Sequence, residues 1–356
     1  MRICVVLATR PSRLPSGGVE KATHALCQGL LRAQHDLTLI TAGMSADEPW
    51  ARVSTVRLAP SRRRMLMGGA RDWDAAVRQV LDELRPEVAL AEGLGFAGSA
   101  VVKWRGGVRV VVAHGNTVAD IRHAYSWVGW AMRAPLVRAS CAAAVRKADA
   151  LVNVTEDWRI NCPVAPTHQV HIPNPVDDDF FTSVPAPEPG VVACFGGSKR
   201  IKGVDLLLAA WPFVLRDAPH ASLELYGYTA DGKPALPPNC STREALDTSS
   251  QTAAAMARAS AVVVPSRFEV SPLVAAEAMA VGVPIVATDV GGVRAMTEGV
   301  AALCRIDPQD MAANIVSALR EPSVWGARLL EGQRRSASYR VDEVVASFVS
   351  LFESLA

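Results

Sequence analysis

Apolar runs of strand length recur along this chain, and between them lie longer segments whose apolar positions return every three or four residues. That alternation predicts parallel strands joined by crossover helices. A first set of strands is expected at 3–8, 37–41, 88–91, 108–113, 150–154 and 170–172, with the clearest helices at 19–33 and 135–147. Pro173-Asn174-Pro175-Val176-Asp177 breaks the pattern, and the three prolines between 182 and 190 read as an interdomain linker. A second set restarts at 191–195 and continues at 222–226, 261–264, 284–287 and 301–304, with helices at 204–215, 242–259 and 272–281. The amphipathic tail 341–355 is expected to dock as a final helix. The expected class is therefore α/β, with two Rossmann-like doubly wound parallel sheets facing across a cleft. Residues 1–175 form the first domain, 176–190 the linker, 191–340 the second domain and 341–356 the C-terminal helix.

Composition narrows the class without changing it. The chain has 356 residues, half of them apolar and a fifth charged, enough for two globular domains. No apolar stretch approaches twenty residues, so no transmembrane helix is expected. Met1 to Ala8 runs into Thr9-Arg10-Pro11 and reads as a buried first strand rather than a signal peptide. Seven scattered cysteines, with no CxxC, suggest buried free thiols in a reducing cytosol. Residues 1–175 carry 22 Lys+Arg against 14 Asp+Glu, and the remainder 15 against 21. A basic first half suits an anionic acceptor or a membrane surface, and equally an ordinary Arg-rich surface.

The candidate chemistry gathers at strand ends. Glu269-Val-Ser-Pro-Leu-Val-Ala-Ala-Glu277 holds two carboxylates in a stretch otherwise free of charge. Ser271 is expected as a helix N-cap with Pro272 at the first helical position, and Gly282 and Pro284 should end that helix. A helix start offers unpaired N–H groups to an anion. Phe195-Gly196-Gly197-Ser198-Lys199-Arg200-Ile201-Lys202-Gly203 places three cations and three glycines in one strand-to-helix loop. Gly17-Gly18 opens an early helix without a G-x-G-x-x-G fingerprint, and His114 ends an apolar strand. Asp72-Trp-Asp74 and Asp177-Asp-Asp179 formally fit the D-x-D metal pattern, and both are expected to be solvated.

Together these segments resemble the retaining GT-B glycosyltransferases of family 4. The resemblance is carried by Gly196–Ala209, by Ser260–Gly292 with its E-x7-E pair, and by Gly17-Gly18-Val-Glu20. It continues at His114-Gly115, Ala148–Thr155 and Val170–Asp177, covering about 60 per cent of the chain. The resemblance implies a nucleotide diphosphate sugar as donor, with no metal and no cofactor. Glu269 would hold the donor sugar's hydroxyls and Glu277 the ribose. Backbone N–H groups at Ser271, Leu273, Val274 and Gly18 would contact sugar or diphosphate, with Pro272 and Gly17 beside them in the donor-binding set. Gly196 and Gly197 would let the loop approach, Lys202 would neutralise the diphosphate, and His114 would stand near the transferred sugar. Interdomain closure would bring the two sets together.

Two departures stand out: Gly197 occupies the place of the family's usual clamp arginine, leaving Arg200, or else Lys199, to supply the charge, and 227–242 is short. The resemblance implies a bacterial, cytoplasmic transferase acting on a glycan, lipid-linked or small-molecule hydroxyl, with no nucleic-acid partner. Peripheral membrane contact through Trp127, Trp130 and Arg133 stays open. So do a disaccharide-phosphate synthase, an epimerase and a non-catalytic sugar-nucleotide binder.

Overall fold

The computed structural model describes residues 1–8, 17–41, 54–57, 70–115, 127–229 and 235–356. The chain divides into two compact units, Met1–Pro175 with Val341–Ala356, and Val176–Arg340.

In the first unit, seven parallel strands lie in the order β3-β2-β1-β4-β5-β6-β7. They are β1 (Arg2–Leu7), β2 (Asp36–Thr41), β3 (Ser54–Arg57), β4 (Val88–Glu92), β5 (Val108–Ala113), β6 (Ala150–Asn153) and β7 (Gln169–His171). The central strands are buried on both faces, as crossover helices require, so they read as unbroken apolar runs. The helices are α1 (Gly18–Arg32), α2 (Ala70–Leu84), α3 (Phe96–Val101) and α4 (Trp127–Lys147). The second unit repeats the scheme with six parallel strands in the order β10-β9-β8-β11-β12-β13. These are β8 (Val191–Cys194), β9 (Ser222–Tyr226), β10 (Cys240–Arg243), β11 (Ala261–Val264), β12 (Ile285–Thr288) and β13 (Ala302–Cys304). Its helices are α5 (Asp178–Thr182), α6 (Val204–Asp217), α7 (Ser249–Arg258), α8 (Leu273–Val281), α9 (Val293–Thr297), α10 (Pro308–Arg320) and α11 (Pro322–Ser336). The last helix, α12 (Val341–Leu355), packs on α1, where Gly29 leaves room for Val341 and Val345.

Both sheets reverse strand order once, between β1 and β4 and between β8 and β11. The carboxyl ends of the strands flanking such a reversal are the usual ligand position in open α/β sheets.

Several expectations need correction. The stretch 176–190 is part of the second unit: Phe180 is buried, and Ala186 and Glu188 donate backbone hydrogen bonds to Ala257 and Arg258 at the end of α7. The helix expected at 242–259 starts at Ser249, because Thr248 caps it through Gln251 and residues 240–243 form an edge strand. The helix expected to open at Pro135 runs from Trp127 with that proline inside it. Helix α8 starts at Leu273, so Pro272 rather than Ser271 is its cap residue. Asp74 is buried, not solvated, and pairs with Lys103 and Ser99. The Asp177–Asp179 run, by contrast, is solvated as expected at Asp178 and Asp179, and it starts α5, where Asp177 accepts from the Asp179 N–H. The side chains of Trp127, Trp130 and Arg133 lie outside the described residues.

Candidate active site

In the second unit, the loops after β8 and β11 meet at the switch point. After β8, Gly196 and Gly197 lead into a single 3-10 turn, Arg200–Lys202, and Gly203 then starts α6. Gly203 has φ +67°, and a side-chain carbon there would collide with the carbonyl oxygen of Pro265. Only glycine allows both the backbone shape and the approach of the two loops. Arg267 then ties the loops together. Its backbone N–H donates to Ile201 O at 2.8 Å, and its guanidinium reaches both Asp205 oxygens at 2.6 and 2.8 Å and Arg200 O at 2.8 Å. The Arg267 guanidinium holds the Asp205 carboxyl below the ordinary carboxylate range.

These contacts bring Lys202 to Glu269. Lys202 Nζ donates to Glu269 Oε1 at 2.6 Å, with the lysine side chain 38% and the glutamate 12% exposed. Ser266 Oγ donates to the same oxygen at 2.7 Å. On its other side the Glu269 carbonyl accepts from Gly292 N–H at 3.0 Å. Gly291, at φ +54°, packs so closely on that carbonyl that any side chain would overlap it. Glu269 is thus fixed by its backbone and by one carboxylate oxygen. Next to it, α8 starts with N–H groups of Leu273 and Val274 that have no intrahelical acceptor, as at any helix start. Glu277 lies in the second turn of α8 and is 4% exposed.

The sequence-predicted residues of this unit therefore fall into one neighbourhood, with two qualifications. The Gly197 backbone is left-handed, φ +62°, a shape that suits glycine better than arginine. The Arg200 side chain is exposed, and its residue contributes a backbone carbonyl to Arg267. Ser198 joins the loop to the end of β9 by accepting from Thr229 N–H at 2.7 Å.

The residues expected from the first half stand in the other unit. Gly17 caps α1, and its N–H donates to Glu20 Oε2 at 3.0 Å, so that donor is already used. A side-chain carbon at Gly18 would meet nothing within 4 Å, so packing inside this unit does not demand glycine there. His114 follows β5 at the carboxyl end of the sheet. Its Nδ1 lies 2.9 Å from Asn174 Oδ1, and its Nε2 is paired with Glu92 Oε2 at the end of β4. The two side chains are 7% and 1% exposed. The Glu92 carboxylate thus occupies one ring nitrogen and the Asn174 amide the other. The second Glu92 oxygen has no hydrogen-bond partner among the described residues. A cavity of about 10 Å³, room for about one water, is lined by Glu92, His114, Asn174 and apolar neighbours.

Sequence reasoning missed Glu92, Asn174, Ser266 and Arg267. Glu92 had a signal: it is the one charge closing the apolar run Val88–Ala91.

Comparison with known proteins adds to this geometry. Residues 16–180 match the family model described as Glycosyltransferase Family 4, and residues 189–321 match the one described as Glycosyl transferases group 1. Over 77 residues, 21% of this chain, the sequence is 47% identical to a D-inositol 3-phosphate glycosyltransferase from Frankia alni. That match spans 19% of the relative's length. Among solved structures, a sucrose-phosphate synthase from Thermosynechococcus elongatus aligns with a TM-score of 0.83 at 18% identity, covering 100% of this chain and 99% of the other. Alr3699/HepE from Anabaena, solved in complex with UDP-glucose, aligns with a TM-score of 0.78 at 16% identity over 100% of both chains. At these identities the structural likenesses establish the fold.

Proposed function

Because this chain is a GT-B glycosyltransferase resembling family 4, we propose that it moves a sugar, with retention of configuration and without a metal, from a nucleotide diphosphate sugar to an acceptor hydroxyl. The observation that carries this reading is the Lys202–Glu269 pair at the switch point of the second sheet, beside the start of α8. Lys202 uses one of its N–H groups on Glu269 and keeps two for a diphosphate. The Leu273 and Val274 N–H groups add donors and the positive end of a helix dipole. Glu269 reads a sugar hydroxyl, and Glu277 the nucleotide ribose. Gly196 and Gly197 permit close approach of the loop.

In the step itself, the bond from the anomeric carbon to the diphosphate oxygen breaks. The acceptor oxygen bonds to that carbon on the same face, and its proton passes to the departing diphosphate. Negative charge grows on the diphosphate, so the fixed cation and N–H donors act where the transition state needs them. This scheme needs no protein nucleophile. Gly17, Gly18 and His114 belong to the acceptor-side unit in this reading, with His114 acting from its paired position.

A phosphorylated acceptor is the second reading, favoured by the phosphate in the names of the Frankia alni and Thermosynechococcus elongatus relatives. The deciding experiment incubates the protein with a panel of UDP-, GDP- and ADP-sugars and neutral or phosphorylated acceptors, and reads products by NMR. An α-linked product from an α-linked donor supports the proposal. An inverted linkage excludes retention, and absence of transfer or hydrolysis with every donor excludes an active transferase of this kind.

A further inference from the structure

The two donors on Glu269 converge on one oxygen. Lys202 Nζ and Ser266 Oγ both donate to Oε1, at 2.6 and 2.7 Å. Oε2 receives no hydrogen bond from any described residue. Ser266 is 1% exposed, and its own carbonyl accepts from Thr288 Oγ1 at the end of β12, a residue with no exposure. Thr288 also reaches Val264 O at 3.4 Å. A short chain of buried groups therefore runs from Thr288 through Ser266 to Glu269.

An exposed salt bridge alone leaves two long side chains free to rearrange. A second donor from a buried, backbone-anchored hydroxyl removes that freedom and determines which oxygen stays open. We propose that Ser266 is a positioning residue that saturates Glu269 Oε1, so that Oε2 alone is offered to the ligand as a hydrogen-bond acceptor. This rests on the transferase reading for the identity of the ligand, a sugar hydroxyl, but not for the geometry.

The arrangement also dictates how an amide would sit. In Glu269→Gln, two donors point at one position, so the amide oxygen must occupy it and the NH2 must face the ligand. The open group changes from acceptor to donor. A sugar whose hydroxyl donates to Glu269 then loses its partner, while the diphosphate keeps Lys202.

The test combines a binding cycle with crystal structures that need no ligand. Binding is measured for wild type, Ser266→Ala, Glu269→Ala and the double variant, using the tightest donor from a panel of UDP-, GDP- and ADP-sugars, and using the matching nucleoside diphosphate alone. Ser266→Ala is expected to weaken the nucleotide sugar about tenfold, to leave the diphosphate nucleotide unchanged, and to add nothing in the Glu269→Ala background. The ligand-free crystal structure of Ser266→Ala should show the Glu269 carboxylate displaced or in more than one orientation. Thr288→Val, close to isosteric, should act in the same direction more weakly, and it stands in if Ser266→Ala does not fold. Equal losses in both backgrounds, an equal loss for the diphosphate nucleotide, or an unmoved carboxylate would overturn the role given to Ser266. Failure of wild type to bind any nucleotide or its sugar would instead overturn the transferase reading, and the crystal structures would then decide Ser266 alone.

Discussion

The two units place an acid–base pair at the same level of the same kind of sheet, yet the pairs are built in opposite ways. Lys202–Glu269 is partly open, 38% and 12% exposed, and among the described residues it keeps unused N–H groups and one unused carboxylate oxygen. His114–Glu92 is closed, 7% and 1% exposed, with both ring nitrogens occupied. An open pair costs little to hold and can exchange its partner for a ligand. A closed pair has lost its hydration, and removing one member strands the other. The first arrangement is open to a ligand; the second holds His114 in one orientation and ties β4, β5 and the 173–175 turn together.

Crossed substitutions sharpen that contrast. Lys202→Ala should lower kcat by about 100- to 1000-fold, the scale of removing one preorganised donor from a developing negative charge. Its unfolding free energy in urea should change by less than about 1 kcal/mol, because the pair is partly solvated. Glu92→Ala should do the reverse and cost about 3 kcal/mol in urea unfolding. If Glu92→Ala leaves stability intact while abolishing activity, the closed pair is catalytic rather than architectural.

Gly203→Ala comes next, at about 2 kcal/mol of lost stability, since alanine meets both the left-handed backbone and Pro265. Activity should fall with it, because this glycine brings Lys202 to Glu269. The smallest effect concerns acid. The Asp205 carboxyl is held low in the folded state by Arg267, so its contribution is present above its unfolded value near 4 and fades as pH falls through the folded value. Arg267→Ala should flatten that acid arm of the stability profile. An unchanged acid arm would mean that the exposed pair contributes nothing to the loop junction.

Much of this was legible in the sequence, for a physical reason. Strands buried on both faces must be apolar throughout, so β1, β4, β5, β8, β11 and β12 announce themselves. The strands that escaped notice, Ser54–Arg57 and Cys240–Arg243, are sheet edges, where only one side is paired and polar residues are tolerated. Helix starts were displaced where a side chain redirected the backbone, as Thr248 and Gln251 do for α7. At the site, Lys202 and Glu269 were legible as charges in apolar settings, but their pairing spans 67 positions and depends on Gly203 and Arg267. Ser266 was invisible for a different reason. A lone serine before a loop carries no pattern, and only its distance to Glu269 gives it meaning.

The central claim is that the switch point of the second sheet binds a nucleoside diphosphate sugar through Lys202. Thermal unfolding with saturating nucleotides and nucleotide sugars tests it most directly. A ligand at about 100 times its Kd adds about 2.7 kcal/mol, which for a unit of this size is a rise of about 5 to 10 °C. The account predicts such a rise for wild type with at least one nucleotide sugar, and its loss in Lys202→Ala. No rise with any of them, or an equal rise in Lys202→Ala, would contradict it.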